Sequence, residues 1–77
     1  MITEANMAFS PTTATVKVGD TVTFQNKDSA AHDVTIDGQD LGNQPTGATV
    51  TWKAAKAGTF PFSCTIHPSM TGQVVVQ

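Results

Sequence analysis

Gly58-Thr59-Phe60-Pro61-Phe62-Ser63-Cys64-Thr65-Ile66-His67-Pro68-Ser69-Met70-Thr71-Gly72-Gln73-Val74-Val75-Val76 is the stretch on which the reading of this chain turns. Its first part carries apolar side chains at alternate positions, Phe60, Phe62 and Cys64, the period of a strand with one buried face. Its last part, a glycine followed by a valine-rich run, has strand composition as well. Between the two lies Cys64-x-x-His67-x-x-Met70, a turn that gathers a thiol, an imidazole and a thioether within a few residues. Strands joined by so dense a set of N and S donors point to a β-domain with a chelating loop at one end.

Working outward, the remaining histidine falls at position 32, where it shares strand parity with Val34 and Ile36. His32 and Cys64 therefore both point inward from strand ends, and His32 ties the chelating loop to a distant part of the chain. Taken singly, each residue has a plainer reading, since a lone cysteine is usually a small buried hydrophobe and a lone methionine is usually packing. In combination they form the set of two imidazoles, a thiolate and a weak axial thioether that describes a trigonal blue-copper site. Zinc more often recruits a further cysteine, histidine or carboxylate, and copper stands above zinc in the divalent-metal affinity order. One ion with a changeable oxidation state and no open coordination position implies electron transfer rather than substrate chemistry.

The bulk composition agrees with a small metal-dependent fold. The chain has 77 residues, enough for one domain (1–77) with a modest core. Its single cysteine excludes an intramolecular disulfide. Four lysines against six acidic residues give a formal net charge of −2 with no basic cluster, so nucleic acid is not an expected partner. No apolar run approaches the roughly 20 residues of a membrane span, and Met1-Ile2-Thr3-Glu4 lacks the basic and apolar regions of a secretory signal.

Threonine, valine, glycine and proline recur at short intervals without helical periodicity, which predicts about seven short strands, over 6–9, 13–18, 21–26, 32–37, 48–53, 59–64 and 72–76. This implies a small all-β Greek-key sandwich. Alternation gives the expected inward pairs: Met7 and Phe9, Val16 and Val18, Val22 and Phe24, Val50 and Trp52. Gly19-Asp20 and Ala57-Gly58 read as tight turns, and the segment from Gly38 to Gly47 reads as a longer loop. Pro61 makes its strand edge-like or irregular, because a proline cannot donate to a ladder. Asp28, Asp37 and Asp40 read as solvated turn residues.

Phe9-Ser10-Pro11, Val16-Lys17-Val18-Gly19-Asp20-Thr21-Val22-Thr23-Phe24-Gln25-Asn26 and His32-Asp33-Val34, together with the stretch from Gly58 to Val76, resemble the cupredoxins over nearly the whole chain. The short Cys-x-x-His-x-x-Met spacing is that of the amicyanin-like loop. The resemblance implies a blue-copper electron carrier, not an enzyme, with one Cu(I)/Cu(II) ion held by His32, Cys64, His67 and the axial Met70. It further implies transient redox protein partners docking near His67, amid Pro68, Ala30 and Ala31, a monomeric state, and an exported location, periplasmic or extracellular. Two positions depart from the pattern. Asp33 stands where relatives commonly carry asparagine, and Ile66 replaces a proline, which leaves an extra N–H near the cysteine sulfur.

Rival functions follow from the same residues. A cysteine hydrolase built on Cys64, His67 and Asp33 needs a substrate pocket and oxyanion donors that the sequence does not signal. A multicopper oxidase or nitrite reductase needs more histidines than the two present. A copper carrier or storage module uses similar donors and stays as the alternative to electron transfer.

Overall fold

The computed structural model describes residues 1–5, 8–66 and 70–77, and all of the strands it contains are short. In chain order they are β1 (Ile2–Ala5), β2 (Ala8–Ser10), β3 (Thr13–Val16), β4 (Thr21–Asn26), β5 (His32–Ile36), β6 (Gln39–Gln44), β7 (Thr49–Lys53), β8 (Gly58–Ser63) and β9 (Thr71–Val76). They form a four-stranded sheet in the order β2-β1-β4-β7 and a five-stranded sheet in the order β3-β9-β8-β5-β6. The pairs β1/β4 and β3/β9 are parallel and the others antiparallel. The chain passes from one sheet to the other after β2, β3, β4, β6 and β7, so each sheet is assembled from segments distant in sequence.

The alternation expected from the sequence is clearest in β4, where Val22, Phe24 and Asn26 are buried and the residues between them face outward or lie half-buried. Phe9, Phe24 and Phe62 meet edge to face between the sheets, with ring centroids 4.7 Å apart for Phe9–Phe62 and 5.2 Å for Phe24–Phe62. Such contacts favour one packing over others because they align ring edges with ring faces. Gly72, opposite Phe62 across the β8/β9 ladder, has no room for a side chain: a Cβ would stand 2.5 Å from the Phe62 ring and 2.7 Å from the Thr12 carbonyl oxygen.

Four expectations need correction. The strand expected over 6–9 is β2, beginning at Ala8, and is preceded by β1, which the sequence reading did not contain. Asn6 and Met7 lie outside the described residues, so the inward pairing of Met7 with Phe9 does too. The segment expected as a long loop from Gly38 is strand β6. Asp37 and Gly38 both adopt positive φ, 51° and 73°, and form a two-residue hairpin turn that pairs Ile36 with Gln39. This edge strand was hidden because its residues are mostly polar, with Leu41 its one large apolar side chain. Val18 is 51% exposed, because β3 stops at Val16 and the chain turns through Lys17–Asp20, where the Asp20 N–H donates to the Lys17 carbonyl. Finally, β8 is not an edge strand, having β9 on one side and β5 on the other. It is irregular on the β5 side alone, where only Phe62 and Ser63 find partners, and Pro61 pairs with β9.

The two sheets are stitched together by buried amides. Gln44 Nε2 donates to the carbonyls of Phe24 (2.9 Å) and Ala48 (3.1 Å), and Asn26 Nδ2 donates to the carbonyls of Gln44 (2.8 Å) and Ala30 (3.0 Å). Two of these bonds, Gln44 to Phe24 and Asn26 to Gln44, run between β4 of one sheet and β6 of the other, where Gln44 pairs with His32 at the start of β5.

Candidate metal centre

His32, at the head of β5, is fully buried because it continues the inward face of Val34 and Ile36. Cys64, just past β8, is fully buried for the same reason, continuing the parity of Phe60 and Phe62. The β5/β8 ladder begins only at Thr35 opposite Ser63, so upstream of it the two strands part. In the space between them the His32 Nδ1 atom lies 3.8 Å from the Cys64 sulfur. Met70 re-enters the core immediately before β9, 2% exposed, and its carbonyl accepts the Cys64 N–H at 3.1 Å. His32, Cys64 and Met70 are thereby brought together. His67 and Pro68 lie outside the described residues.

The other nitrogen of the His32 ring, Nε2, is 3.1 Å from Asp28 Oδ2. Asp28 is therefore not the solvated turn residue expected from the sequence. It caps the loop before β5, its own N–H donating to Asn26 Oδ1, and it holds the far side of the imidazole. A carboxylate on Nε2 selects the tautomer that leaves the Nδ1 lone pair facing the sulfur, a common outer-shell device of metal-bound histidines. The spacing of four residues between Asp28 and His32 was the only sequence signal, and it is a weak one.

Asp33 occupies the gap between β5 and the Cys64 loop. Its N–H donates to the Cys64 sulfur at 3.5 Å, and its carboxylate accepts the Thr65 N–H at 2.6 Å and the Thr65 hydroxyl. Burial pushes the Asp33 carboxyl up, but the bonds from Thr65, with contributions from Cys64 and the Ile66 amide, outweigh it and hold the pKa below the usual carboxylate range. The N–H gained where Ile66 replaces proline is thus engaged by Asp33, and an amide that reaches the sulfur is Asp33's own. Asp33 acts across the gap through both backbone and side chain, staying anionic while it locks the cysteine loop to β5.

One buried acid escaped the sequence reading altogether. Glu4 on β1 is fully buried beside Gln44, and neither of its carboxylate oxygens nor Gln44 Oε1 has a hydrogen-bond partner. Burial raises its pKa from 4.5 to about 6, against an opposing pull from His32.

Among the described residues no three His, Cys, Asp or Glu side chains gather into a metal-holding group. The pair that does converge passes a simple fit test. Bonds of about 2.0 Å to nitrogen and about 2.3 Å to sulfur, meeting at a roughly trigonal angle, separate the two donors by about 3.7 Å. The observed distance between His32 Nδ1 and Cys64 Sγ is 3.8 Å. Soft sulfur beside imidazole, with a buried thioether nearby, suits copper among the first-row metals.

The family model for the cupredoxin-like domain matches residues 1–76. The chain belongs to the cupredoxin-like family. It is 35% identical over 80 residues to amicyanin from Paracoccus denitrificans, covering 95% of this chain and 61% of that protein. It is 32% identical to plastocyanin from Vicia faba over 91 residues, covering 95% of this chain and 91% of that one. A methylamine utilization protein, MauL, from Methylophilus methylotrophus is 30% identical, with 47% of its length covered. The chain thus spans about half to two thirds of the two bacterial relatives. Among solved structures, a reduced tryptophan-to-tyrosine mutant of amicyanin superposes with a TM-score of 0.94 at 31% identity, covering 99% of this chain and 79% of that one. A purple cupredoxin from Nitrosopumilus maritimus gives 0.87 at 25% identity, covering 94% and 84%. The two-sheet architecture expected from the sequence is therefore that of the family, built from nine short strands among the described residues where about seven were expected.

Proposed function

We propose that this chain is a blue-copper electron-transfer protein that holds one copper ion through His32, Cys64, His67 and Met70 and passes single electrons between redox partners. The observation that carries the reading is the buried approach of His32 Nδ1 to the Cys64 sulfur, at a separation that suits two ligands of one ion. Supporting it, solved neighbours of the same fold include a reduced Cu(I) form of an amicyanin mutant, with a TM-score of 0.94.

Copper, when bound, supplies the one-electron redox chemistry. The chain's own residues supply rigidity. The Asp28 carboxylate fixes the His32 ring, the Asp33 amide bonds the thiolate, and the Asp33–Thr65 bonds anchor the loop that begins at Cys64. Burial of His32, Cys64 and Met70 excludes water, so little has to move when the charge changes. Partners dock transiently where the loop reaches the surface; Ile66, 50% exposed, and Ala31 provide apolar surface there. The protein works as a monomeric carrier without enzymatic turnover, in an exported compartment, as its amicyanin and plastocyanin relatives suggest.

Repeated cycling separates this function from copper carriage. The loaded protein is reduced with ascorbate and reoxidised over many cycles in the presence of a Cu(I)-specific chelator. An electron carrier keeps its metal and its spectrum, whereas loss of copper to the chelator within the first reductions would identify a carrier or storage module.

A further inference from the structure

Asp33 carries a charge that the carrier mechanism above leaves unused. The residue is 8% exposed and lies between β5 and the loop that begins at Cys64. Its N–H donates to the Cys64 sulfur at 3.5 Å, while its carboxylate accepts the Thr65 N–H at 2.6 Å and the Thr65 hydroxyl, with a further contribution from the Ile66 amide. The Thr65 and Ile66 donors are neutral dipoles, and no lysine is among the groups that hold Asp33. The ion pair on His32 belongs to Asp28. Neutral donors stabilise a carboxylate without cancelling its net charge, and in a surrounding with little water that charge is weakly screened. Its field extends across the sandwich: Asp33, on the five-stranded sheet, repels the buried Glu4 carboxylate on the four-stranded one.

We propose that Asp33 sets the reduction potential of the centre, its uncancelled carboxylate charge beside Cys64 favouring Cu(II) over Cu(I). The inference rests on the blue-copper reading of the site. Reduction brings one electron from the redox partner, and so one more negative charge, into a buried centre that already faces an anion, and the repulsion opposes it. The backbone of the same residue works in the other direction. An N–H donating to the sulfur withdraws electron density from the thiolate and favours the electron-richer reduced state, in keeping with the influence of hydrogen bonds at that sulfur on such sites. Substitution separates the two influences, because the amide remains in every variant and the carboxylate does not. The charge therefore makes the reduced protein a readier electron donor and the oxidised protein a weaker acceptor.

The test compares copper-loaded wild type, D33N and T65V. Asparagine keeps the shape of Asp33, still accepts the Thr65 N–H and donates to its hydroxyl, so D33N removes the charge and retains the lock between β5 and the loop. T65V does the reverse. Reduction potentials are read by spectroelectrochemical titration, with the thiolate-to-copper band as the control on geometry. D33N is expected to shift the preference toward Cu(I) by about tenfold, a rise of about 59 mV for one electron, the field of a carboxylate partly screened by solvent. D33S, which removes the same charge with a smaller side chain, shifts it in the same direction, and T65V changes it by less than about twofold. In the metal-free chain, carboxyl NMR titration should show the Glu4 pKa lowered by D33N, a readout that needs no copper. An unchanged potential in D33N with the band intact, a rise in T65V equal to that in D33N, or an unmoved Glu4 titration would overturn the proposal. A wild type without the band would overturn the copper reading and this proposal with it, whereas a blue wild type whose potential ignores D33N overturns this proposal alone.

Discussion

Glu4 offers the sharpest test of how the interior is built. Its carboxylate is buried next to Gln44, whose two amide protons are donated to the Phe24 and Ala48 carbonyls, and Gln44 Oε1 and both Glu4 oxygens are buried acceptors without a hydrogen-bond partner among the described residues. Removal of the carboxylate from water shifts its pKa up to about 6 from 4.5, against opposing pulls from His32 and the Gln44 side chain, and protonating Glu4 adds a donor beside the unpartnered Gln44 Oε1. A carboxyl whose folded pKa is raised contributes its stability fully below the unfolded pKa and loses it as pH rises through the folded one. From pH 4.5 to above pH 6 the shift converts to at most about 2 kcal/mol, and to about 1 kcal/mol once screening by nearby solvent is allowed for. Glu4→Gln carries a permanent amide donor and no charge. Metal-free wild type and variant should therefore melt together at pH 4, and the variant should melt higher at pH 8 by about 4 to 8 °C, the shift that about 1 kcal/mol produces in a domain of this size. Thermal denaturation followed by circular dichroism at pH 4, 5, 6, 7 and 8 measures the difference directly. A variant no more stable than wild type at pH 8, or a difference that does not grow with pH, would refute the reasoning.

Two further substitutions probe the fold and the centre. Gly72→Ala places a methyl against the Phe62 ring and against the Thr12 carbonyl, which is pinned by the Gln73 N–H, so it should cost about 1 to 3 kcal/mol and lower the melting temperature at every pH; an unchanged melting curve would show that β9 can shift to make room. Asp28→Ala removes the carboxylate behind His32 and should weaken copper affinity by about 10-fold or more in a competition titration while leaving the secondary structure intact, and unaltered affinity would deny Asp28 any part in orienting the ring.

The residues that were legible in the sequence are those whose role follows from local period or spacing. His32 and Cys64 were placed inside by parity with Val34, Ile36, Phe60 and Phe62, and the structure brings them together because alternation survives to the ends of β5 and β8. The strand β6 was not legible, since an edge strand of mostly polar side chains carries no hydrophobic alternation and announces itself only through the Asp37-Gly38 turn. Glu4 and Asp28 were missed for a different reason. Their significance depends on which residues tertiary packing sets beside them, Gln44 for one and the His32 ring for the other, and nothing in the local sequence encodes those neighbours. Pro61 pointed to an edge-like or irregular strand, and the second holds: β8 lies inside the sheet and tolerates the proline because β5 leaves it unpaired at that level.

The central claim is the copper–thiolate bond at Cys64, and the most direct measurement is the visible absorption and EPR spectrum after one equivalent of Cu(II), compared with Cys64→Ala. The account predicts an intense thiolate-to-copper band that ascorbate bleaches reversibly and that the substitution abolishes. A colourless protein, or a weak spectrum indifferent to the loss of Cys64, would contradict it.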